Sequence, residues 1–243
     1  MDIILPVYNI SQTMLNRHIQ ELNKIPKNRI KDFRLIIIDD CSTPSFNPNL
    51  SIDMSIKAAR VEVDVKWHAE GAINLGFVLA NDDWCILTCV DHIIPTNDLV
   101  QCLDLKKEKN NIYMFNRFLP NGKSRRKNVP GVCIIHRDDW WRLGGYDEDF
   151  CGKHGCADWL TFGCFHSGGE GYNQLSVAKQ LRMNFIQTNL KIIEYADECC
   201  SLSRANRRNY GIYFKKVKEL EQGIYINRSK LNFRWHLTYE RVC

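Results

Sequence analysis

Apolar residues in the first half of this chain come in short runs that stop at polar pairs. Ile3-Ile4-Leu5-Pro6-Val7 stops at Tyr8-Asn9, and Leu35-Ile36-Ile37-Ile38 stops at Asp39-Asp40. Unbroken apolar runs of this length predict strands buried on both faces. Between them Ser11 precedes Leu15, Ile19 and Leu22, whose spacings of four and three predict a capped amphipathic helix. The opening therefore reads strand, helix, strand. The pattern repeats with an alternating strand over 61–65, a helix over 71–80 and a continuous buried strand over 84–90.

Strands alternating with helices predict an α/β fold: a mostly parallel sheet with helices on both faces, and ligands at the carboxyl ends of its strands. The second half is less regular. It predicts strands over 112–118 and 132–135, a Pro120-Asn121-Gly122 turn and a short helix over 138–143 that Gly144-Gly145 ends. Another helix begins near Ala157, and one more covers 204–221. No linker or repeat divides the chain. One domain over 1–196 is expected, with halves 1–110 and 111–196, followed by a basic helical extension over 197–243.

At 243 residues, 44% hydrophobic and 25% charged, the composition is that of a globular protein and excludes disordered or collagen-like chains. No apolar window is long enough to span a membrane, and the first residues lack a leader pattern, so cytoplasmic residence is expected. Eleven cysteines without paired CxxC spacing are expected to be reduced thiols rather than a zinc site. The net charge of +5 is uneven: residues 1–122 carry 13 basic and 15 acidic side chains, residues 123–243 carry 20 and 13. A basic second half suits an anionic partner, whether a nucleotide diphosphate, a nucleic acid or a phosphorylated acceptor.

The phosphate-binding GxxxxGK[ST] and GxGxxG motifs and the GxSxG elbow are all absent. What stands at the strand ends is acidic. Asp91 and His92 follow the strand over 84–90, an oxygen and an imidazole able to hold Mn²⁺ or Mg²⁺ against a diphosphate. Asp158 opens a helix after Gly152-Lys153-His154-Gly155, a position that suits either a general base or a simple N-cap. Lys123, Arg125, Arg126 and Lys127 form a basic loop. Arg204, Arg207, Arg208, Lys215, Lys216 and Lys218 form a basic helix with Asn206, Tyr210 and Tyr213 interleaved. Trp140, Trp141 and Trp159 offer flat faces of the kind that stack on sugars or bases, or fill cores, and His154 lies in the same region.

Four pieces in order resemble the family 2 glycosyltransferases of the GT-A fold: Ile4 to Asn9; Ile36 to Ser42; Gly71 to Gly76 with Ile86 to Pro95; and Gly144 to Phe150 with Ala157-Asp158-Trp159. The resemblance implies inverting transfer of a sugar from a nucleotide diphosphate donor, a UDP-sugar, to a hydroxyl on a glycan, lipid-linked or other acceptor. It implies Asp158 as the base and Pro6, Tyr8, Asn9, Asp39, Asp40, Asn74 and Asp91 along the donor. It also implies a Mn²⁺ or Mg²⁺ ion at Asp91 and His92, with Trp140, Trp141, Gly145, Trp159 and His154 on the acceptor or leaving-group side. Cys89 stands where the metal motif's first Asp is expected, Ile73 where a basic residue is, and Ala157 where a Glu is. Two other readings stay open: a non-catalytic GT-A-like module binding nucleic acid or an acidic polymer, and a transferase acting on modified DNA bases.

Overall fold

The computed structural model describes residues 1–65, 67–125, 131–163, 175–195, 207–225 and 231–243. Its centre is a ten-stranded mixed sheet. The strands are β1 (Asp2–Val7), β2 (Arg34–Asp39), β3 (Ser55–Val61), β4 (Trp84–Leu87), β5 (His92–Ile93), β6 (Asn111–Phe118), β7 (Ser124–Arg125), β8 (Cys133–His136), β9 (Asn184–Glu194) and β10 (Trp235–Arg241). Their order is β10-β3-β2-β1-β4-β8-β6-β9-β5, with β7 hairpinned onto β6. β3, β2, β1 and β4 run parallel, β8 is antiparallel to both β4 and β6, and β6 and β9 are parallel.

The central strands divide their side chains between two apolar layers. Ile4, Ile36, Ile38 and Leu87 face one core, and Ile3, Leu5, Leu35, Ile37 and Ile86 face the other. This alternation within unbroken apolar runs is what a strand covered on both sides requires. The first core is covered by α3 (Ala69–Leu79), α5 (Arg137–Arg142), α6 (Ala157–Phe162), α7 (Val177–Gln180) and α8 (Arg207–Glu221); in the second core lie residues of α1 (Gln12–Asn23), α2 (Lys27–Ile30) and α4 (Thr96–Asp104). Ser11 caps α1, its hydroxyl accepting from the Met14 amide at 3.2 Å. Gly76 lets α3 close onto β1, for a Cβ there would lie 2.3 Å from Ile4 Cγ2.

The structure departs from the sequence-based expectations at several elements, among them α4, β7 and the strand expected over 84–90, which ends at Leu87. The strand expected over 61–65 lies at Ser55–Val61, because Lys57 and Arg60 interrupt its apolar pattern while the residues between them are buried. β9, eleven residues of mostly alternating exposed and buried positions, had not been anticipated. The segment expected as a helical extension holds α8 but closes with β10, antiparallel to β3. Tyr213, Val217 and Leu220 of α8 join the first core.

Candidate functional site

β1, β2 and β4 end on one rim of the sheet, and the loops that follow carry the acidic residues. Asp40 follows β2, its amide donating to Val7 O at 2.8 Å. Its carboxylate is buried and lies 2.9 Å from His68 Nδ1. The His68 ring stands edge-on to Phe233 with centroids 4.3 Å apart, so the segment before β10 covers this end of the site. Tyr8 is exposed at the end of β1, its hydroxyl donating to Asp64 at 3.3 Å. An open ring beside a buried carboxylate is the arrangement expected for a base-binding end.

Several residues expected on the donor also make contacts within the fold. Asp39 accepts from the amides of Ser42 and Phe46 and pairs with Arg60, which ties the loop after β2 to β3. Asn9 bridges the two loops, its amide donating to Ser42 Oγ and its side chain accepting from the Thr43 amide. Asn74 is wholly buried in α3; it donates to Tyr146 O and Glu148 Oε1 and accepts from the Tyr146 amide, which clamps the 144–150 segment. Pro6 lies within β1, in register with Ile38.

Asp91 and His92 do come together, and Cys89 joins them. His92 Nδ1 is 2.7 Å from Asp91 Oδ1 and 2.9 Å from Cys89 Sγ. One ligand atom from each of the three lies within 4.8 Å of the other two. Burial works to raise the Asp91 carboxyl, but hydrogen bonds from His92 and Cys89 outweigh it and hold the group well below the usual carboxylate range. β5 fixes this loop by pairing His92 with Glu194, and the Tyr195 amide donates to Asp91 O at 2.8 Å. His92 Nε2 is buried with no partner among the described residues, and the ring borders a cavity of about 20 Å³ shared with His18 and Thr88. Imidazole, carboxylate and thiol are all divalent-metal donors and their ligand atoms converge here, so this donor set fits a divalent ion. The thiol makes it softer than the all-oxygen shells that Mg²⁺ prefers. Cys89, which by sequence marks the loss of a ligand, is thus itself a potential donor.

Asp158 sits in the first turn of α6, half-buried, behind Cys156, which holds a left-handed φ of 78°. Burial raises its carboxyl above the ordinary value, against the Trp159 amide and the nearby His154. His154 is exposed and stands edge-on to Trp67, with centroids 4.3 Å apart. The Gly152 amide donates to Trp67 O at 2.8 Å, so the loop before α3 touches the loop before α6. This contact brings the Asp40 end and the Asp158 end onto one rim.

The aromatic candidates separate. Trp140 is wholly buried and stacks on Phe77 with centroids 4.1 Å apart, so it belongs to the core and is closed to a sugar. Trp159 packs against Tyr210 and Tyr213 of α8. Trp141 alone of the three is exposed. Gly145 takes a φ of 67° in the turn that ends α5, a backbone role that glycine fills without strain. The basic helix is partly engaged in internal contacts: buried Lys216 pairs with Asp147 and Asp149, and Arg208 donates to Cys151 O and Asp149 O. Arg126, Lys127, Arg204 and Asn206 lie outside the described residues.

Glu70, in the first turn of α3, had not been singled out in the sequence because a carboxylate there looks like ordinary helix-start chemistry. It is buried, and its carboxyl is pushed up to about 8, first by burial and then by the charges of Asp158 and Asp40. Cys151 Sγ lies 3.9 Å from its Oε2.

A mixed sheet with helices on both faces and acidic loops along the rim where β1, β2 and β4 end is the architecture of the GT-A fold. The family model for glycosyl transferase family 2 matches residues 2–161, and the chain belongs to this family of glycosyltransferases. No curated protein matches it in sequence. Among solved structures it is similar to S. aureus TarS 1–349 in complex with UDP-GlcNAc, at 12% identity and a TM-score of 0.56, covering 90% of this chain and 64% of that one. It is also similar to GalNAc-T7 with UDP, GalNAc and Mn²⁺, at 13% identity and a TM-score of 0.50, covering 79% and 43%. A third is the mannosyltransferase PcManGT from Pyrobaculum calidifontis in complex with GDP-Man and Mn²⁺, at 12% identity and a TM-score of 0.50, covering 89% and 68%. Among the described residues, no helix is long and apolar enough to cross a membrane.

Proposed function

We propose that the protein moves a sugar from a nucleotide diphosphate donor, a UDP-sugar, to a hydroxyl acceptor with inversion at the anomeric carbon, and that Asp158 is the general base. The observation that carries this reading is the contact between the 67–68 and 152–154 loops, which sets Asp158 on the same rim as Tyr8 and Asp40. Tyr8 and Asp40 take the base, as their exposure and burial suit: a ring face open for stacking and a carboxylate already oriented by His68. Asp158 accepts the proton of the acceptor hydroxyl as its oxygen bonds to the anomeric carbon, while the bond from that carbon to the diphosphate oxygen breaks on the opposite face. Partial burial raises the basicity of this carboxylate, which favours proton abstraction. Cys89, Asp91 and His92 are the residues that would hold a divalent ion, whose chemistry is to offset charge on the departing diphosphate. Neighbours solved with Mn²⁺ support that role. The acceptor is a glycan, lipid-linked or other hydroxylated molecule.

A nucleic-acid module built on the basic helix draws little support from α8, since Lys216 and Arg208 are engaged inside the fold. Asp158→Asn tests the reading. It is expected to lower transfer by at least about a hundredfold, the usual scale for losing a general base, while calorimetric affinity for UDP stays at the wild-type value. Transfer at the wild-type rate in this variant removes Asp158 as the base.

A further inference from the structure

Among the described residues, the other buried carboxylates are met by cations, histidines or a backbone amide, and Glu70 by a thiol. Asp2, Asp39, Asp139, Asp147 and Glu194 pair with Arg34, Arg60, Arg142, Lys216 and Arg117. Asp40 and Asp91 have histidines, and Asp98 accepts the Lys191 amide at 2.8 Å. Glu70 is as buried as these, at 5% exposure, yet among the described residues no cation pairs with it. An ionised carboxylate in that position normally needs a counter-charge, because desolvating it alone is costly. Its surroundings add to the cost. Asp40 and Asp158, the base-binding and acceptor ends of the proposed site, both act on Glu70 as repelling charges, and Cys151 reaches it from the loop before α6.

Glu70 follows His68, which holds Asp40, by two residues, and Cys151 of the loop before α6 reaches its carboxyl, so it sits where the Asp40 loop and the Asp158 loop meet. With the base at Tyr8 and Asp40 and the acceptor at Asp158, the sugar lies between them. We propose that Glu70 is a sugar-binding residue of the donor site, its carboxyl taking a hydroxyl of the sugar to be transferred. The inference rests on the transferase reading above. A neutral carboxyl donates one hydrogen bond and accepts another, which matches a hydroxyl that does both. It also places no third negative charge beside Asp40, Asp158 and the diphosphate. Burial and those two carboxylates keep Glu70 protonated below about pH 8.

The test compares affinity for UDP with affinity for UDP-GlcNAc, and for GDP with GDP-mannose, by calorimetry at fixed Mn²⁺ in wild type, Glu70→Ala and Glu70→Gln. In wild type one sugar nucleotide binds more tightly than its parent nucleotide. Glu70→Ala is expected to lose about tenfold of that sugar increment with nucleotide affinity unchanged, the scale of one buried hydrogen bond. Glu70→Gln keeps a larger share. Should the alanine variant not fold, the glutamine variant carries the test: its sugar increment stays flat with pH, whereas the wild-type increment shrinks above about pH 8 as Glu70 ionises facing Asp40, Asp158 and Cys151. Equal increments in all three proteins with one common pH profile overturn the inference and leave the transferase reading standing. Equal loss of nucleotide and sugar-nucleotide affinity in Glu70→Ala overturns it as well, marking a structural role. Absence of any nucleotide binding in wild type overturns both.

Discussion

At the proposed metal group a single side chain, Cys89, changes which ion the donor set would favour. Mg²⁺ holds oxygen ligands and water, whereas a set of thiolate, imidazole and carboxylate suits Zn²⁺, Co²⁺ and, less tightly, Mn²⁺. Cobalt added to the wild-type protein is expected to give the near-ultraviolet sulfur-to-cobalt band of a Cys-ligated ion, and Cys89→Ser is expected to abolish it. Mg²⁺ in large excess leaves the band in place. A spectrum identical in both proteins means that Cys89 does not reach the ion. At this scale the sequence was only partly readable. Asp40 and Asp91 stand just past the apolar runs that predicted their strands, and Asp158 opens a helix after the glycine-rich loop, but Asp39 and Asn9 at the same strand ends, and Asn74 within α3, hold loops together. Only the direction of a side chain separates these cases, and direction is set by partners dozens of residues away. Glu70 stayed hidden for the same reason.

The elements were easier to read where one local rule dominated. The unbroken apolar runs of β1 and β2 and the cap of α1 fall where periodicity put them. β9 escaped because its exposed positions include Ile186, and β10 because its outward residues have no strong pattern. Helix α3 is where packing and propensity compete. Helix propensity alone favours Gly76→Ala by about 1 kcal/mol. The new methyl would meet Ile4 Cγ2 at 2.3 Å, and overpacking of that kind costs about 1–3 kcal/mol. Because Ile4 lies at the centre of the sheet, packing is expected to win. The variant should unfold at lower urea than wild type, and a higher midpoint would mean that α3 shifts freely along β1.

For the whole molecule, buried Glu70 makes stability depend on pH. In the unfolded chain its carboxyl titrates near 4.5, in the folded protein near 8. Between these values the folded state holds a proton that the unfolded state has released, so stability falls as pH rises, by up to about 1.4 kcal/mol per pH unit from this group. Glu70→Gln removes that contribution. Its thermal midpoint is expected to approach the wild-type value near about pH 5 and to exceed it by a growing margin up to about pH 9. A margin that does not change with pH would mean that Glu70 is already ionised in the folded protein.

The antiparallel pairing of β10 with β3 also has a bearing on how the protein is made. His236 faces Glu62, 174 positions earlier in the chain. While the ribosome is still adding the residues between them, β3 has a bare edge and His68 lacks its Phe233 cover. An open parallel edge flanked by apolar β2 is the sort of surface that recruits strands from other chains. The Asp40 end is therefore complete only after the far segment arrives, and until then the edge of β3 is open to pairing with other strands.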